Sequence, residues 1–132
     1  MTDTTTLDPS NVTATVDAYL SMWNEEDPGR RTVLIEAAWA PDGSYVDPLL
    51  EANGHDGLSE MVAAVHRQYP GHRFSRQSGV DVHHGELRFG WRLTAPDGSL
   101  TVAGIDVGRL APDGRLAGIT GFFGELPACE AA

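Results

Sequence analysis

At 132 residues the chain is long enough to bury a core without disulfides or structural metal, and it is expected to form a single domain. The whole net charge of −10 arises within residues 1–60, where twelve acids face only Arg30 and Arg31, while residues 61–132 balance seven against seven; nucleic acid is therefore not an expected partner. All nine basic side chains are arginine, which excludes lysine Schiff-base chemistry and pyridoxal phosphate anchoring.

Residues 1–8 are polar and threonine-rich and are expected to form a loose tail, with residues 9–126 as the domain and 127–132 as a second tail. Asp8-Pro9 supplies a cap and a first-turn proline for helix one, in which Val12, Val16, Tyr19, Leu20 and Trp23 recur at helical spacing. Asp27-Pro28 repeats the signal and opens helix two, with Val33, Leu34, Ala37, Ala38 and Trp39 as its expected buried side. Pro41-Asp42-Gly43 then predicts a turn into a short strand, Ser44–Asp47, ended by Pro48. Helix three is expected to be capped near Asp56, to carry Leu58, Met61, Val62, Val65 and Tyr69, and to stop at Pro70-Gly71.

From His72 onward the pattern is strand. His72–Val82, Glu86–Thr94, Leu100–Leu110 and Arg115–Phe123 are separated by His84-Gly85, Pro96-Asp97-Gly98 and Pro112-Asp113-Gly114, a meander. Three helices followed by antiparallel strands predict an α+β fold with the helices on one face of the sheet. Recurrent strand glycines suit a sheet curled around a cavity.

Asp106 draws attention within the Leu100–Leu110 strand. Period-2 counting places it on one face with Val102, Gly104, Gly108 and Leu110, a row with no other charge. The opposite row, Ala103, Ile105 and Val107, is apolar too, so both faces are expected to be covered, the outer one by a second copy of the chain. Arg76, Arg88 and Arg92 are assigned to the outer face, because Leu87, Phe89, Trp91 and Leu93 claim the inner one. Adjacent His83 and His84 should point to opposite faces, and His66 and His72 lack carboxylates at metal-site spacing, so no metal site is expected. The one cysteine, Cys129, excludes an intrachain disulfide; with no secretion signal and no membrane-length apolar run, a soluble cytoplasmic protein is expected.

Tyr19 in Ala18-Tyr19 with Asn24 five residues later, Asp47 in Val46-Asp47-Pro48, Asp106 in Gly104-Ile105-Asp106, and the closing Phe123-Gly124-Glu125 together resemble the nuclear transport factor 2-like superfamily, which includes ketosteroid isomerases and SnoaL-like polyketide cyclases. The resemblance runs from Asp8 to Leu126. It implies a cone-shaped α+β fold with a strongly curved, mainly antiparallel sheet, and a cofactor-independent isomerase or cyclase that moves a proton beside a carbonyl of a small apolar molecule. In the isomerase form it implies Asp47 as the base, with Tyr19 and a protonated Asp106 as donors to the substrate oxygen; in the cyclase form Asp106 is the base. A non-catalytic binding or oligomerisation domain is the alternative. The expected pocket lining is Trp23, Trp39, Tyr45, Met61, Phe89, Trp91, Ile119, Gly121 and Phe123, and four bulky rings among these leave little room for a flat four-ring steroid.

Overall fold

The computed structural model describes residues 9–130. The predicted tail over residues 1–8 and the cap at Asp8 lie outside the described residues, as do the last two positions of the predicted C-terminal tail.

Helix α1 spans Pro9–Asn24 and α2 spans Pro28–Ala38; strand β1 runs Trp39–Val46 and β2 Glu51–Asn53; α3 covers Gly54–Gln68. The strands that follow are β3 Arg73–Arg76, β4 Asp81–His83, β5 Glu86–Thr94, β6 Leu100–Leu110 and β7 Leu116–Phe123. They form one curved seven-stranded sheet in the order β2-β1-β7-β6-β5-β3, with β4 also paired to β5. Among the described residues only β1 and β7 run parallel, and every other pairing is antiparallel.

The α1 stripe is buried as its spacing predicts, through Val12, Val16, Tyr19, Leu20 and Trp23. It packs with Leu58, Met61 and Val62 of α3 over Leu87, Phe89, Trp91 and Leu93, the inner row of β5. Asn24 fixes the end of α1 to the sheet by exchanging two hydrogen bonds with the Phe74 backbone, at 2.9 and 2.8 Å. Asp27 caps α2 by accepting from the Arg30 amide at 2.8 Å.

Several expected elements are corrected. The buried side of α2 is Arg31, Ile35 and Ala38, whereas Val33 is 64% exposed and Ala37 is also on the outside. The face is set by Arg31, whose guanidinium donates to the carbonyls of Glu25, Glu26 and Ser59 where the α1–α2 turn meets α3. Trp39 is not helical but begins β1, and Pro41-Asp42-Gly43 is a register irregularity inside that strand: Trp39 pairs with Leu116 and Ser44 already with Gly118. Helix α3 starts at Gly54, earlier than a cap near Asp56 implies.

The long strand expected over His72–Val82 is broken into β3 and β4, because Gln77 and Ser78 leave the strand course to satisfy both backbone groups of Gly90, at 2.7 Å each. Arg76 lies on the helix side, where it pairs with Asp17 of α1 at 3.0 Å, while Arg88 and Arg92 are exposed as expected. His84 adopts a φ of 51°, a left-handed turn conformation, so its ring does not oppose that of His83; their Nδ1 atoms lie 3.2 Å apart. Among the described residues no helix is long and apolar enough to cross a membrane.

Candidate active site

Strand β6 alternates as its sequence predicts. Gly104, Asp106, Gly108 and Leu110 are buried, and Ile105, Val107 and Arg109 face outward. Asp106 is 3% exposed, one of two buried charged or polar side chains in the described chain, the other being Arg31. Its neighbours are set by register: Phe89 stands opposite on β5 and Gly121 opposite on β7.

Above Asp106, α1 delivers Tyr19, whose hydroxyl donates to Asp106 Oδ2 at 2.7 Å. Beside this pair lies a second. Tyr45 and Asp47 share one face of the extended chain at the end of β1, and the Tyr45 hydroxyl donates to Asp47 Oδ2 at 2.6 Å. The other Asp47 oxygen accepts the amides of Leu49 and Leu50, both at 2.8 Å, which folds Pro48 and the two leucines into a tight turn. The two pairs adjoin across Gly121: a Cβ there would stand 2.9 Å from Asp106 Oδ1, 3.1 Å from the Tyr45 hydroxyl and 3.2 Å from Asp47 Cβ.

These groups line one largely apolar cavity. It gives the centres of water-sized molecules about 70 Å³, on the order of five waters. Of the expected site residues, Tyr19, Asp47, Asp106, Trp23, Tyr45, Trp91 and Phe123 line it. Trp39, Met61, Phe89 and Ile119 do not; they are core residues behind the wall, and Gly121 lies beneath the carboxyl groups as the space that lets them approach. The remaining lining comes from Leu20, Leu49, Leu50, Val65, Tyr69, Phe74, Leu93 and Val102, which were not assigned to the pocket from sequence. Leu20, Val65 and Tyr69 are on the helical stripes already recognised, so their direction was legible although the cavity was not. Leu49 and Leu50 depend on the turn that Asp47 organises.

Burial pushes the Asp106 carboxyl up to about 7 from its ordinary 3.8, with the Tyr19 hydroxyl and the Trp91 indole opposing the rise and the charge of Asp47 adding to it. Tyr19 and Tyr45 are both raised, first by burial and next by the Asp106 charge, so both remain hydrogen-bond donors at neutral pH. Asp106 Oδ1 and Trp91 Nε1 are buried without a well-formed hydrogen bond, although the indole is near enough to the carboxyl to lower its pKa. Among the described residues, no group of three or more His, Cys, Asp or Glu side chains is placed to hold a metal ion.

The fold and its largely apolar cavity define a cone-shaped α+β domain of the nuclear transport factor 2-like class. No protein-family model matches the chain, and no curated protein does. Among solved structures, it is similar to a candidate isomerase of the SnoaL-like family from Agrobacterium tumefaciens, with 39% identity, a TM-score of 0.80, and coverage of 85% of this chain and 96% of the other. That identity over that coverage places the chain in the SnoaL-like family. More distant likenesses bear on the fold alone: a nuclear transport factor 2-like protein of unknown function from Exiguobacterium, at 19% identity, TM-score 0.67 and coverage of 85% and 99%, and a candidate SnoaL-like polyketide cyclase from Jannaschia, at 16%, 0.63, and 83% and 84%.

Proposed function

We propose that the protein moves a proton on carbon next to the carbonyl of a small, largely apolar compound, as an isomerase or cyclase that needs no cofactor. The observation that carries this reading is the convergence of the Tyr19–Asp106 and Tyr45–Asp47 pairs on one largely apolar cavity. A binding or assembly module has no need to gather them there. The size of the cavity supports a substrate much smaller than a steroid.

Between the two acids, the hydrogen bonding favours Asp106 as the proton carrier. Asp47 already accepts from one hydroxyl and two amides, so its oxygens serve the turn. Asp106 keeps Oδ1 without a well-formed hydrogen bond, and burial pushes its carboxyl up to about 7, where a group can both take and return a proton at neutral pH. As the anion, Asp106 removes a proton from the α carbon; the C–H pair becomes the enolate C=C bond and charge moves to oxygen. Returning that proton to another carbon completes an isomerisation; alternatively the enolate carbon attacks a second carbonyl in the same molecule, whose π pair moves to its oxygen, and that alkoxide takes the proton back from Asp106 to complete a cyclisation.

The test is α-proton exchange in D₂O with small ketones such as cyclohexanone, cyclohex-3-enone and 2-tetralone, followed by proton NMR. The protein should accelerate exchange or isomerisation of at least one over buffer, and Asp106→Asn should lower that rate by roughly 10²–10⁴-fold. No acceleration with any of them contradicts the reading.

A further inference from the structure

Trp91 is 4% exposed and lines the cavity, and its indole N–H, although close enough to Asp106 to hold that carboxyl's pKa down, makes no well-formed hydrogen bond. A buried donor without such a bond forfeits one that water would have supplied. The position of the ring follows from register. Trp91 stands opposite Gly104 on β6, and a Cβ at Gly104 would lie 2.6 Å from Trp91 Cζ2 and 3.0 Å from Cε2, so the indole rests directly on the strand where a side chain is missing. Asp106 is two residues along the same inner face, the diagonal cross-strand neighbour that a side chain as long as tryptophan reaches. The rings of Phe74 and Phe123 hold the indole edge-on, with centroids 5.9 and 5.8 Å away, and offer it no acceptor.

The cavity thus places a weakly engaged donor, Trp91 N–H, beside a carboxyl oxygen without a well-formed bond, Asp106 Oδ1, while both tyrosine hydroxyls already donate to carboxylates at short distance. The indole of Trp39 also makes no well-formed bond, but Trp39 is outside the cavity lining, so a ligand has no comparable route to it.

We propose that Trp91 N–H is the hydrogen-bond donor that receives the carbonyl oxygen of the bound compound and holds the enolate charge, next to the carboxyl group that exchanges the proton. This deepens the proton-transfer reading and rests on it for the catalytic part; the oxygen site itself is testable by binding alone. The ligand class it defines is a small apolar ring bearing one accepting oxygen. A preorganised donor aimed at the oxygen where charge develops is the usual means of stabilising an enolate.

The probes are phenol, whose oxygen stands in for the enolate oxygen, and toluene, which has nearly the same shape and no oxygen. In ¹⁵N-labelled wild-type protein, phenol should move the Trp91 indole N–H resonance downfield, and toluene should leave it nearly unmoved. Trp91→Phe identifies the resonance and should erase the preference for phenol over toluene, which is expected to be tenfold or more in the wild type, by lowering phenol affinity more than toluene affinity. An unmoved Trp91 resonance at saturating phenol, or an equal shift with toluene, overturns the proposal, and this measurement on the intact protein holds even if Trp91→Phe fails to fold. A phenol preference that survives Trp91→Phe and disappears in Asp106→Asn also overturns it, by assigning the oxygen to Asp106. If Trp91 governs the preference while the wild type exchanges no ketone protons, the oxygen site stands and proton transfer fails; if exchange occurs and Trp91 leaves the preference unchanged, the reverse holds.

Discussion

Gly121 lies opposite Asp106 in the β6–β7 register, and a Cβ built on it would stand 2.9 Å from Asp106 Oδ1. The two tyrosine–aspartate pairs can adjoin only because this position carries no side chain. Gly121→Ala should cost about 1–3 kcal/mol in urea unfolding, since the methyl group pushes on Asp106, Tyr45 and Asp47 together. Gly79→Ala is the control: a Cβ there meets nothing within 4 Å, and stability should stay within about 0.5 kcal/mol.

Asp106 should make the fold pH-dependent in a direction opposite to that of a salt-bridged acid. Its folded value of about 7 lies above the ordinary 3.8, so between these values the native state holds a proton that the unfolded chain releases. The stabilisation is complete below about pH 4, declines as pH rises, and is gone above about pH 7, with a span of about 4 kcal/mol at most. Asp106→Asn should flatten this part of the profile and raise the melting temperature at pH 8. Denaturant melts at pH 5, 6, 7 and 8 on both proteins measure it.

Asp47 should behave as the holder of the cavity mouth. Removing its side chain releases the Leu49 and Leu50 amides and strands the Tyr45 hydroxyl. Asp47→Ala should therefore cost about 1–3 kcal/mol and speed hydrogen exchange at Leu50. Asp47→Asn keeps an accepting oxygen for the turn and should retain most of the protection. A larger loss of catalytic rate in Asp47→Asn than in Asp106→Asn would return the base to Asp47.

The outer face of the sheet leaves Ile105 43%, Val107 39% and Phe122 56% exposed, three apolar side chains from neighbouring strands. A second copy of the chain is the expected cover, as the apolar row of β6 implies. Light scattering at micromolar concentration should give twice the chain mass, and Ile105→Lys with Phe122→Glu should return it to one. A monomeric wild type contradicts this.

What the sequence disclosed follows its local periodicities. The α1 stripe, the inward row of β6 with Asp106 in it, and the turns at Pro96-Asp97-Gly98 and Pro112-Asp113-Gly114 are readable within a dozen residues, whereas Pro41-Asp42-Gly43 carries the same signal inside a strand. The α2 face was misjudged because its buried centre is an arginine, Arg31, whose partners are backbone carbonyls that no pattern marks. The His83–His84 approach depends on one left-handed residue. Both tyrosine–aspartate contacts escape periodicity for different reasons. Tyr19 and Asp106 are 87 positions apart; resemblance to a known family implied only that both serve one site, as donors to a substrate oxygen, and not that they bond to each other. Tyr45 and Asp47 were read as sharing a face, but their bond and the Leu49–Leu50 turn need the strand end to be seen in three dimensions. The weakly engaged Trp91 indole has no sequence signature, because it is defined by what surrounds it.

The central claim is that Asp106 is an enclosed acid poised at neutral pH, and ¹³C NMR titration of its carboxyl carbon tests it most directly, with Asp106→Asn to assign the signal. The midpoint should fall near 7, and Tyr19→Phe should move it higher by removing the hydroxyl that favours the anion. A midpoint near 4 that ignores Tyr19→Phe would mean that Asp106 is an ordinary solvated acid, and would contradict the account.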